Sequence, residues 1–105
     1  METQRNKFSK REEEILFNIV DLVKNELDPG VIILFGSRAK GINRNTSDFD
    51  VAVDLNEPDN KIKRRLNEKL DRIRGLYKVD LVFLNNLEDE FKSLILKTGK
   101  VIYEI

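Results

Sequence analysis

Residues 35–53 read FGSRAKGINRNTSDFDVAV, and the organisation of the whole chain can be worked out from the two ends of this stretch. At one end, Gly36-Ser37 follows Val31–Phe35, an uninterrupted apolar run of the kind expected for a strand covered on both faces. At the other, Asp48-Phe49-Asp50 opens a second strand candidate, Phe49–Leu55. Alternate side chains of a strand share a face, so Asp48 and Asp50 project together while Phe49, Val51 and Val53 go to the other side. Two further strands are expected, at Lys78–Leu84 and Val101–Ile105.

Three helices surround these strands. The first has Ser9 as N-cap and Glu12 three residues on, a capping box. Its apolar positions Ile15, Leu16, Ile19, Val20, Val23 and Leu27 follow the helical period, and Asp28-Pro29-Gly30 stops it. The second begins at Asp59 and turns Ile62, Leu66, Leu70 and Ile73 toward a core. The third begins near Asn86, carries Leu87, Phe91, Leu94 and Ile95, and ends at Lys97 and Gly99. Helices and strands interleave in an α/β (α+β) sandwich, a small mixed β-sheet flanked by helices. A length of 105 residues suits one domain spanning 1–105.

Composition narrows the chemistry. The chain has no Cys and no His, which removes thiolate zinc sites, Cys nucleophiles and His-based acid–base schemes. Lys+Arg and Asp+Glu are both 19, so no global basic field favours direct nucleic-acid binding. The N-terminal METQRNKFSK has no apolar signal core, and no apolar run could span a bilayer. A cytoplasmic location without membrane contact is expected. Carboxylate, hydroxyl and amine chemistry remain.

Gly36 allows close approach of a phosphate, Ser37 offers a hydroxyl and N–H groups, and Arg38 and Lys40 add local positive charge. A tight turn with a solvated basic side chain explains the same residues when they are taken alone. Asp48 and Asp50 are hard oxygen ligands that suit Mg²⁺, or else a solvated turn and strand pair. Asp80, inside Val79-Asp80-Leu81-Val82-Phe83-Leu84, has neighbours that read as buried. An unpaired carboxylate there is costly. Either a shared metal or a backbone or Arg partner would relieve it. Taken together, three aspartates and an anion-binding turn at strand ends favour metal chemistry.

The same stretch resembles the signature of the polymerase-β-like nucleotidyltransferase superfamily, hG-S-x-A-x-G…S-D-x-D-x-x-V. The brevity of the chain and its ending, from Leu87 through Glu90-Phe91 to Val101-Ile102-Tyr103-Glu104, are similar to the minimal nucleotidyltransferase (MNT) branch. Asp80 matches that family's third carboxylate.

The resemblance implies two Mg²⁺ ions held by Asp48, Asp50 and Asp80 against ATP. It also implies a phosphate grip by Gly36 and Ser37, with Arg38 and Ser47 in support. MNT proteins typically pair with a small HEPN-domain toxin, and some inactivate it by transferring AMP onto a tyrosine. An adenylyltransferase antitoxin is therefore expected. An antitoxin that acts by contact alone and a stand-alone transferase acting on a small molecule or RNA end are the alternatives.

Overall fold

The computed structural model describes residues 8–41 and 48–105. In chain order the elements are α1 (Lys10–Leu27), β1 (Val31–Phe35), a one-turn α2 (Ser37–Lys40), β2 (Phe49–Val53), α3 (Asn60–Ile73), β3 (Val79–Phe83), a 3₁₀ turn (Leu84–Asn86), α4 (Asp89–Thr98) and β4 (Lys100–Glu104). The four strands form one mixed sheet in the order β3-β2-β1-β4. β1 runs antiparallel to β2 and β4, and β2 runs parallel to β3. The expected fold class, a small mixed sheet flanked by helices, is the one observed.

The helices α1 and α3 begin where their capping chemistry indicates. Ser9 Oγ accepts from Glu12 N at 3.1 Å, and Ser9 N donates to Glu12 Oε1 at 2.6 Å. Asp59 Oδ1 accepts from Ile62 N at 3.0 Å and starts α3. The fourth helix begins at Asp89, three residues later than expected, because the chain first makes the 3₁₀ turn. There Asn86 turns its side chain outward to accept from Glu57 N at 2.7 Å. β2 stops at Val53, two residues early, since Asp54 Oδ1 accepts from Gly30 N and Val31 N and caps the start of β1.

The sheet is covered on both faces. On one, Ile15, Ile19 and Val23 of α1 and Leu66 and Leu70 of α3 pack on Ile32, Leu34, Phe49, Val51, Val53 and Phe83. On the other, Ile95 of α4 and Leu84 pack on Ile33 and Ala52. Burial of each such side chain contributes about 1.5–3 kcal/mol, so β1 and β2, covered twice, are the anchors of the fold. Gly99 sets how closely α4 can return to β1: a Cβ there would lie 2.5 Å from Ile33 Cγ2 and 2.6 Å from the Ile95 carbonyl oxygen. Among the described residues, no helix is long and apolar enough to cross a membrane.

Candidate functional site

Strand direction gathers the motif residues at one edge of the sheet. β1 ends at Phe35 beside the start of β2, with Phe35 in register with Asp50. β2 and β3 start side by side, Phe49 opposite Val79 and Asp50 opposite Asp80. Gly36 and Ser37 follow β1 directly, and Asp48 immediately precedes β2. Asp48, Asp50 and Asp80 therefore share an edge and, by strand period, the α4 face of the sheet.

The turn after β1 is shaped around these carboxylates. Gly36 has φ 77° and ψ −154°, a conformation open essentially to glycine alone. A Cβ at Gly36 would also collide with the Asp50 carboxylate. Ser37–Lys40 then make one helical turn closed by Gly41, and the first N–H groups of such a turn lack intrahelical acceptors. A backbone able to bind an anion thus lies against a carboxylate able to bind a cation.

Electrostatics mark Asp50 as the strained member. Burial pushes its carboxyl above the ordinary 3.8, and the charges of Asp80 and then Asp48 push it further, while Lys78 and Arg38 pull it down. Like charges gathered without compensation favour a bound cation or a proton. Among the described residues, no three acidic groups stand at the spacing of a finished metal cage. The carboxylates interact through their fields and are not already clamped together.

Two side chains have surroundings other than those expected from the sequence. Asp80 is exposed, because β3 lies at the edge of the sheet, so its apolar neighbours do not bury it. Its link to the site is the register with Asp50. Arg38, expected beside the phosphates, is only 3% exposed. Its guanidinium donates to Glu12 Oε2 at 3.1 Å and lies 4.1 Å from the Phe49 ring centroid, with the Phe8 and Tyr77 rings at 5.2 and 5.4 Å. A weakly hydrated planar cation gains more from this carboxylate and three ring faces than from solvent.

Glu12 answers it from α1. Burial raises the Glu12 carboxyl, but hydrogen bonds from Ser9 and Arg38 outweigh that and hold it below its ordinary 4.5. The capping box alone pointed to a helix start. The spare oxygen of its glutamate was the signal for a buried partner. Ser47 lies outside the described residues.

Lys78 carries no motif, yet it stands immediately before β3, two residues from Asp80, and lines a groove with Leu70 and Asp71 of α3 and its C-cap Arg74. Its backbone oxygen accepts from Phe49 N at 2.9 Å, which fixes it beside Asp48.

Comparisons with known proteins agree with this fold. A toxin–antitoxin crystal structure with AMP-PNP matches at 27% identity and TM-score 0.72, covering 85% of this chain and 73% of that one. A mutant toxin–antitoxin MntA-HpeT matches at 25% identity and TM-score 0.67, over 83% of this chain and 70% of that one. A candidate minimal nucleotidyltransferase matches at 26% identity and TM-score 0.60, over 90% of this chain and 88% of that one. No functionally curated protein matches the chain. The family described as Polymerase beta, Nucleotidyltransferase matches residues 17–105. With this match over most of its length, the chain belongs to the polymerase β nucleotidyltransferase family.

Proposed function

We propose that this chain transfers AMP from ATP onto a hydroxyl of a partner protein, with Asp48, Asp50 and Asp80 as the metal-binding and catalytic carboxylates. The observation that carries this reading is the register of Asp50 with Asp80, beside a glycine turn that leaves no room for a Cβ against Asp50. The donor set fits Mg²⁺: hard oxygens, surplus negative charge and an open side for phosphate and water. Two Mg²⁺ ions held there would neutralise the triphosphate and lower the pKa of the attacking hydroxyl.

The residues then divide the work. Gly36 and Ser37 hold the β- and γ-phosphates by backbone N–H groups and the Ser37 hydroxyl. Asp48 and Asp50 orient the α-phosphate. Asp80, exposed at the sheet edge, meets the acceptor and takes its proton. The acceptor oxygen bonds to the α-phosphorus, the bond from that phosphorus to the β-phosphate bridge oxygen breaks, and pyrophosphate leaves. Positioning and charge neutralisation carry the rate. Arg38 acts from beneath, by tying the glycine turn to α1 and β2.

The toxin–antitoxin complexes among the similar structures support a toxin as the partner. The family resemblance supports a HEPN-domain protein with an acceptor tyrosine. Exposed Phe91, Leu94 and Leu96 of α4 and Val101 of β4 offer apolar surface for such a complex. The test is incubation of the chain, its co-expressed partner and Mg²⁺ with ATP labelled at the α- or the γ-phosphate. Label from the α-position alone should appear on the partner and vanish with Asp48→Asn/Asp50→Asn. Label that survives the double substitution sinks the metal mechanism. A tight, neutralising complex without label supports the contact-only antitoxin instead.

A further inference from the structure

With Arg38 buried, the glycine turn keeps Lys40 as its exposed side-chain cation, and Lys40 is not among the charges that act on Asp50. Among the described residues, Arg38 and Lys78 are the cations whose charge reaches the Asp50 carboxyl. Only the second is exposed, and no hydrogen bond or ion pair among the described residues engages its ammonium group. Its place is fixed by the ladder: the Phe49 N–H donates to its carbonyl, and Val79 pairs with Phe49. It stands two residues before Asp80, immediately ahead of β3, at the same edge of the sheet.

The strand order β3-β2-β1 sets the direction. The glycine turn closes β1, the Asp48–Asp50 pair opens β2, and Lys78 precedes β3 on the far side. A triphosphate gripped at its β/γ end by Gly36 and Ser37 must run across β2 toward β3. We propose that Lys78 grips the α-phosphate, the group that is transferred, from the β3 side of the site. This rests on the nucleotidyl-transfer reading above. An ammonium there offsets the negative charge that three aspartates present to the phosphate, and it turns the phosphorus toward the acceptor beside Asp80.

The experiment is calorimetric titration at fixed Mg²⁺ with two probes, AMP and inorganic pyrophosphate, against wild type, Lys78→Met and Lys78→Arg. Lys78→Met should weaken AMP about tenfold, the loss of one charge-assisted contact. Pyrophosphate, held by the glycine turn, should stay within about twofold on the same scale. Lys78→Arg should restore AMP binding, and all three proteins should melt together. Equal losses for both probes, no loss for AMP, or a lowered melting temperature in Lys78→Met overturns the assignment. A wild type that binds neither probe overturns the nucleotide reading itself, and the assignment falls with it.

Discussion

Replacing Asp50 by Asn should make the metal-free protein more stable, although it removes a residue placed at the centre of the site. Asp50 stands in register with Asp80 on a parallel strand, and neighbouring strands lie about 4.8 Å apart. Two unit charges at that spacing repel by about 0.9 kcal/mol in water and about 3.5 kcal/mol at an effective dielectric of 20. Asp80 is exposed and Asp50 only half-buried, so the lower half of that range applies, about 1–2 kcal/mol. For a domain of this size, 1 kcal/mol moves Tm by about 4–8 °C.

The sign of the pH dependence follows from the same cluster. Burial, then Asp80 and Asp48, raise the folded pKa of Asp50 above its ordinary 3.8. The folded state therefore holds a proton that the unfolded chain has already lost. Wild type loses stability as pH climbs from 3.8 through the folded value, and the loss is complete above it. Thermal melts in chelator should show no gap between Asp50→Asn and wild type below pH 3.8 and a full gap, with the variant higher, at pH 7. A variant that melts below wild type at pH 7, or a gap that ignores pH, refutes the account of mutual repulsion.

Three other outcomes follow from the same contacts. Arg38→Met should destabilise by about 3–5 kcal/mol, because it leaves Glu12 charged and buried. Adding Glu12→Leu should recover most of that in a chemical denaturation series, and nucleotide affinity per folded molecule should stay within a few-fold. Gly36→Ala should cost about 1–3 kcal/mol in backbone strain and, by pushing on the Asp50 carboxylate, abolish Mg²⁺-dependent nucleotide binding in titration. Millimolar Mg²⁺ should raise the Tm of wild type by offsetting the carboxylate repulsion, and should leave an Asp50→Asn/Asp80→Asn variant unmoved.

Much of the architecture was legible because its signals are local. Ser9 with Glu12, and Asp59 before Ile62, announce helix starts through hydrogen bonds that span three residues. The continuous apolar run of β1 announces a strand buried on both faces, and the spacing of Asp48 and Asp50 assigns them to one face. What stayed hidden was long-range. No local pattern shows that β3 lies at the sheet edge, so Asp80 read as buried when it is open to solvent. Nor does one show that Arg38 would meet Glu12, 26 positions away in sequence, and lie among three rings. A basic residue in a glycine turn looks like a phosphate ligand until the core beneath it is known. Lys78 was hidden for the same reason, since its place beside Asp48 exists only through the β2–β3 ladder.

The central claim is that three aspartates from two strands share metal ions beside a glycine turn. The most direct measurement is a crystal structure of the chain with Mn²⁺ and a non-hydrolysable ATP analogue, read by anomalous scattering. A manganese peak should bridge Asp48 and Asp50, within coordination distance of Asp80, with the β- and γ-phosphates against Gly36 and Ser37. Nucleotide bound elsewhere, or manganese that leaves Asp50 and Asp80 uncoordinated, would contradict it.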